Sequence, residues 1–133
     1  MYFCSTIALF MKHNYPKSEK LKSQKHIDLL FSGGKSVSKY PLRLVYIPLD
    51  PNLDQGLHFG VSVSKRYFKR ANKRNYFKRV LREVYRKNKE IIYNAIGNQP
   101  FAMMFFYQTK EKLSYQEIEQ KTLELFKKFE SNL

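Results

Sequence analysis

A chain of 133 residues, 43% of them hydrophobic, with eleven Phe, ten Tyr and no Trp, has enough apolar side chain for one sizeable core and reads as a single domain over residues 1–133. Its 25 Lys and Arg against 11 Asp and Glu leave a net charge of +14, which calls for a polyanionic partner, nucleic acid ahead of an anionic membrane surface. A lone cysteine, Cys4, excludes a disulfide framework and a multi-cysteine zinc site and fits a reducing cytoplasm, and the chain lacks the run of about 18 apolar residues that spans a bilayer.

Residues 1–11 faintly resemble a signal peptide, yet no basic lead opens them and no small-residue cleavage site precedes Lys12-His13-Asn14. The expectation is that Met11 is the initiator, that residues 1–10 are an upstream extension and that the core spans about residues 17–130. After a basic lead over 12–22, Ser23 is placed to cap a short helix through Phe31. Ile27, Leu30 and Phe31 recur at helical spacing, and Gly33-Gly34 ends it. A short strand is expected near residues 36–39. Residues 42–47 read as a strand, 48–56 as a turn and 57–64 as the strand's partner, with Leu57, Phe59, Val61 and Val63 alternating, so a β-hairpin is expected.

Residues 65–89 hold twelve of the 25 basic residues and one acid, Glu83, a local charge of +11. On a helix from about residue 71 to 89, running on toward Ile96, Asn75, Lys78, Arg79, Arg82 and Arg86 share a sector of about 100°. Phe77, Val80, Leu81, Val84 and Tyr85 fill the opposite sector. Solvated surface helices alternate the sign of their charges; this one scarcely does, so a phosphate backbone that supplies counter-charge is its natural partner. Gly97-Asn98-Gln99-Pro100 stops the helix, and residues 101–107 read as a buried strand. Ser114-Tyr115-Gln116-Glu117 is a capping box opening an amphipathic helix to about Glu130, with Ile118, Leu125 and Phe129 apolar and Leu123 at the border. The fold class is α+β, one sheet covered by helices.

Two segments carry a specific resemblance. Phe59-Gly60-Val61-Ser62-Val63-Ser64-Lys65-Arg66, followed by Ala71-Asn72-Lys73-Arg74-Asn75-Tyr76-Phe77-Lys78-Arg79-Val80-Leu81-Arg82-Glu83, resembles the signature of the bacterial ribonuclease P protein component. There, a strand ending in Gly-x-Ser-x-Ser-Lys leads into a helix bearing Arg-Asn-x-x-Lys-Arg-x-x-Arg-Glu. The resemblance covers about residues 17–130. It implies an αβββαβα sandwich with a mixed sheet and a left-handed β–α–β crossover, as in the second domain of a small-subunit ribosomal protein. Periodicity cannot show that handedness. It also implies a function as the basic protein partner of a catalytic RNA, the two together removing the 5′ leader of precursor transfer RNA with magnesium held mainly by the RNA. No catalytic residue, no protein-bound metal, no membrane and no obligate protein partner are implied.

Carried over by position, Lys65, Arg66, Lys73, Arg74, Asn75, Lys78, Arg79 and Arg82 are the RNA-contacting set. Arg86 joins them on the charged sector. Arg forks onto phosphate oxygens, Lys acts as a mobile point charge, and the Asn amide can also accept from a 2′-hydroxyl. Lys69 and Arg70 belong to a strand-to-helix turn that is one residue longer than the family pattern and lacks its glycine, so their roles stay open. Phe31 and Tyr46 match aromatic positions of a cleft for the leader, with plain core packing the competing reading.

A hydrolase working with its own side chains is disfavoured, because His13, His26 and His58 are scattered and form no visible carboxylate–histidine constellation. His26 is expected on the surface and His58 pointing outward. A structural RNA-binding protein of ribosomal type shares the size and charge but does not account for the joined motifs. A DNA-binding factor lacks its helix-turn-helix or dimerising heptads.

Overall fold

Seven consecutive apolar or aromatic residues, Phe101–Tyr107, form a strand with no polar face, and such a strand is stable only where both faces are covered. The computed structural model describes residues 19–133, so the expectation about Met11 and residues 1–10 lies outside the described residues. The elements run α1 (Gln24–Gly33), β1 (Lys35–Lys39), β2 (Leu42–Pro48), β3 (Leu57–Val63), α2 (Ala71–Ile96), β4 (Phe101–Tyr107) and α3 (Tyr115–Ser131). That is the αβββαβα order of an α+β sandwich. The four strands lie in the order β1-β2-β4-β3, with β4 antiparallel to β2 and parallel to β3.

The expected hairpin of β2 with β3 does not form. Apolar alternation fixes which face of a strand is buried but not which strand lies beside it, and β4 takes both neighbours: Tyr46 and Phe59 each align with Met103, Leu44 and Val61 with Phe105. The hairpin that does form joins β1 to β2 through the cis Tyr40–Pro41 turn. On one face of the sheet, Leu44, Tyr46, Phe59, Met103, Phe105 and Tyr107 pack with Phe77, Leu81, Val84 and Tyr85 of α2 and with Ile118, Leu125, Phe126 and Phe129 of α3. The Phe59 ring stacks on Tyr85 with centroids 3.7 Å apart. On the other face, Val45 and Ala102 pack with Leu30 of α1 and Leu49.

The capping box of α3 is present as read: Ser114 Oγ accepts from the Glu117 amide at 3.2 Å, and Glu117 Oε1 accepts from the Ser114 amide at 3.4 Å. Two contacts tie α3 to β1. Lys128 Nζ donates to the Ser38 carbonyl at 3.1 Å, and Lys39 pairs with Glu124 at 3.3 Å.

The last residue of the basic stretch departs from its neighbours. Lys89 is fully buried, 0% exposed, and its Nζ donates to both oxygens of Glu19 at 3.0 and 3.2 Å. The Tyr85 hydroxyl donates to the same carboxylate at 3.0 Å. Burial, with the Glu19 charge beside it, raises the Tyr93 hydroxyl far above the usual tyrosine range. Just beyond Glu19 the chain runs along the outer edge of β3, where the Leu21 amide donates to the Phe59 carbonyl at 3.1 Å.

Ser23 occupies the N-cap of α1 as expected, but its side chain makes no capping hydrogen bond. The glycine stop has a steric cause rather than a left-handed one. Gly34 has an ordinary φ of −72°, yet a Cβ there would run into the Leu30 carbonyl oxygen and lie 3.0 Å from Val45 Cγ1. A Cβ at Gly33 meets nothing nearer than Ile47 Cδ1 at 3.8 Å. Gly34→Ala should therefore cost about 1–3 kcal/mol in urea unfolding, while Gly33→Ala should be neutral or stabilise by up to about 1 kcal/mol. Equal midpoints for the two variants would remove the close-approach explanation.

Candidate nucleic-acid interface

Burial of Phe77, Val80, Leu81, Val84 and Tyr85 fixes the direction of the opposite side of α2. Asn75, Arg79 and Arg82 are exposed there and Lys78 is half-buried. Among the described residues, none of Lys78, Arg79 and Arg82 has an ion-pair partner, so their charge is available to a ligand. Arg86 differs. Its guanidinium donates to Glu83 one turn back, a hydrogen bond that raises Arg86 above the usual arginine range and locally cancels its charge.

The strand-to-helix turn presents the next group. The Ser64 carbonyl accepts from the amides of Tyr67 and Phe68 at 3.1 and 3.2 Å, and Ser64 Oγ accepts from the Arg66 amide at 3.1 Å, a local turn that turns Lys65 and Arg66 to solvent. Phe68 plugs the core, stacked on Phe77 with centroids 4.8 Å apart, which holds the lengthened turn and leaves Lys69 and Arg70 exposed at the start of α2. Arg74 is used in part by the fold itself: one guanidinium nitrogen donates to the carbonyls of Phe68 and Lys69 at 2.9 and 2.8 Å. Arg70 sits at the N-cap without a side-chain hydrogen bond, and the first turn of α2 has no acid to offset the positive end of that helix.

Because β3 and β4 are parallel, with Val63 beside Tyr107, the loops leaving both strands meet at one end of the sheet. There Asn72, Lys73, Tyr76, Phe77, Lys112 and Leu113 line an open recess of about 460 Å³. Lys73 and Lys112 stand close enough that Lys112, first as a hydrogen-bonding partner and then as a like charge, pulls Lys73 below the usual lysine range. Two ammonium groups brought together beside a half-exposed tyrosine (Tyr76, 49% exposed) form a receptor for an anion next to a ring. Sequence reasoning missed Lys112 and Tyr76. Lys112 lies far along the chain from the basic stretch, and only the parallel pairing brings it there.

The two aromatic residues expected to share a cleft lie on opposite faces of the sheet. Phe31 on α1 is 64% exposed, its ring 6.4 Å from that of half-buried Phe106 on β4, and Phe106 aligns with exposed Arg43 of β2. Tyr46 is 5% exposed under α3, its ring edge-on to Phe129 at 4.7 Å, so it is core and lines no open surface. Phe31 and Phe106 thus form an aromatic patch on this face, and Arg43 flanks it. The uninterrupted apolar run of β4 gave no sign that Phe106 looks out.

The histidines also depart from expectation. His26 is 7% exposed and His58 half-buried, and the β2–β3 connection folds Asp54 onto His26, with His26 Nε2 2.9 Å from Asp54 Oδ1. The two imidazole rings lie 4.8 Å apart. Burial, and then the neighbouring His26, lower His58 below the usual histidine range. A carboxylate–histidine constellation therefore exists, assembled from α1, the β2–β3 connection and β3, and it includes none of the RNA-contacting candidates.

The ribonuclease P family model matches residues 15–130. The ribonuclease P protein components of two Porphyromonas gingivalis strains are each 37% identical to this chain over 98 residues, covering 73% of it and 72% of their own length. Among solved structures, the Thermotoga maritima RNase P protein superposes with a TM-score of 0.65 at 23% identity, over 83% of this chain and 96% of its own. The Staphylococcus aureus RNase P protein does so with a TM-score of 0.63 at 19% identity, over 84% and 94%.

Arg79→Ala and Arg82→Ala should each weaken RNA binding and lower the slope of log affinity against log salt by about one unit, and Lys112→Ala should do the same. Lys89→Met should lower the melting temperature with the slope unchanged, since that cation is spent inside on Glu19. Salt titrations of the four variants separate the two groups, and a slope change for Lys89→Met equal to that for Arg82→Ala would overturn the division.

Proposed function

The chain belongs to the ribonuclease P protein family and is a component of a transfer-RNA-processing ribonuclease, and from that membership we propose how its surfaces are used. The outward side of α2, with Asn75, Lys78, Arg79 and Arg82, and the turn carrying Lys65, Arg66, Lys69 and Arg70 dock on phosphates of the catalytic RNA. Lys73 and Lys112 clamp a backbone phosphate at the end of the sheet. Arg74 holds the turn in place and meets RNA only with the nitrogens that turn leaves over. The observation that carries this reading is a surface of closely set cations without acidic partners, built on the helix that bears the family motif.

The precursor's 5′ leader runs across the second face of the sheet. There Phe31 and Phe106 offer rings on which a single strand stacks without regard to sequence, and Arg43 lies beside them for its phosphates. The bond is cut in the RNA. Magnesium takes an all-oxygen octahedral shell, and the one cluster of three possible ligands among the described residues brings two imidazoles, a set that does not suit it. On the family resemblance, magnesium and the reacting groups are assigned to the RNA subunit, and the protein contributes affinity and orientation.

Cleavage of a 5′-extended precursor at near-physiological magnesium, with cognate catalytic RNA alone, protein alone and both, tests the assignment. The mixture should far outpace either component; a folded, RNA-binding protein that gives no stimulation would favour a purely structural RNA-binding role. Phe31→Ala should weaken binding of leader-bearing precursor by about 1–3 kcal/mol and leave mature transfer RNA unaffected, with little change in melting temperature because the ring is exposed. Equal loss for both RNAs would exclude the leader path.

A further inference from the structure

We propose that His26, Asp54 and His58 form a binding site for a divalent transition-metal ion of the zinc type, which fastens α1 to the sheet. Their potential ligand atoms all lie within 4.8 Å of one another. Two imidazoles and one carboxylate are the donor set of three-ligand zinc sites, which leave a fourth position for water.

The state of the ring nitrogens supports the assignment. His26 Nδ1 and His58 Nε2 are buried without a hydrogen-bond partner, an arrangement that costs free energy in adjacent rings unless something supplies a bond. The side chain of His26 is 9% exposed, so it is enclosed rather than dangling. A hydrogen bond with the Gln55 backbone engages the His58 ring and leaves its other nitrogen for a ligand, the usual outer support of a metal-bound imidazole. Asp54 is held as well: its amide donates to the Asp50 carbonyl at 2.9 Å, and Asp50 also accepts from Asn52.

Ligands around a tetrahedral zinc with bonds of about 2.0 Å stand roughly 3.3 Å apart; the His26 Nε2–Asp54 Oδ1 pair, at 2.9 Å, already lies within that spacing, and binding requires the wider separations, up to 4.8 Å, to close. The reason for the site lies in how lightly α1 is held. Of its residues only His26 and Leu30 are buried. An ion bridging His26 to Asp54 and His58 would clamp that helix, and with it Phe31, against the sheet. The site stands apart from the RNA assignment and does not depend on it.

The test uses untagged full-length protein, stripped with chelator and dialysed, and titrated with Co²⁺. One equivalent should produce the visible ligand-field bands of a four-coordinate ion, Zn²⁺ should bleach them, and Zn²⁺ should raise the melting temperature. Asp54→Asn and His58→Ala should weaken binding by about tenfold or more and abolish the thermal shift, while Asp28→Asn, on the same helix, should change neither. If His58→Ala fails to fold by circular dichroism, Asp54→Asn, nearly isosteric, decides the matter alone. Folded wild-type protein without cobalt bands, or bands of undiminished affinity in Asp54→Asn, would overturn the site, the second result placing the ion elsewhere in the chain.

Discussion

A strand without a polar face has to be covered on both sides and paired along both edges, and β4 imposes that demand on the rest of the molecule. Its Met103, Phe105 and Tyr107 call for the thick layer of α2 and α3; its Ala102 draws the thinner cover of α1. Its two edges recruit β2 and β3, in opposite directions. The parallel partner matters most for the proposed interface, because it sets the ends of β3 and β4 side by side. The turn into α2 and the loop into α3 are then obliged to meet, and Lys73 comes to face Lys112.

The basic face of α2 is a surface the isolated helix would avoid. An exposed pair of like charges 4 Å apart costs about 1 kcal/mol in water and less in salt, whereas each large apolar side chain buried on the other side contributes about 1.5–3 kcal/mol. With Phe77, Val80, Leu81, Val84 and Tyr85 all inside, burial outweighs repulsion by a wide margin. The core thus holds a concentration of charge in place before any partner arrives. A phosphate backbone meets cations already gathered, so the ordering entropy of assembling them is not charged to binding.

What the sequence made legible was local. The capping box, the span of α2 and the alternation of β3 each rest on residues near one another, and each was found as read. Partnership between distant segments was not legible. Alternation in β3 is satisfied equally by β2 or β4, and nothing in residues 57–63 names the neighbour. Within a strand one step reverses the face, so Tyr46 lies in the core while Val45 beside it looks toward α1. Phe31 is therefore open to a stacking partner and Tyr46 is not. Lys89 carries the same charge as its neighbours but sits on the buried side of the helix, where Glu19 meets it. His26, Asp54 and His58 looked scattered because a loop, not a helical or strand repeat, unites them.

The short bridge at Phe59 has a bearing on self-association. A sheet of four strands has two outer margins, each a row of amides and carbonyls onto which a second molecule can add. Along β3 the residues around Lys20 and Leu21 already occupy part of that row. Among the described residues no strand pairs with the outer side of β1, a five-residue strand with Lys35 and Lys39 exposed at its two ends, where Lys39 meets Glu124 and the Ser38 carbonyl takes Lys128. Charge at that margin works against edge-to-edge addition of a second copy.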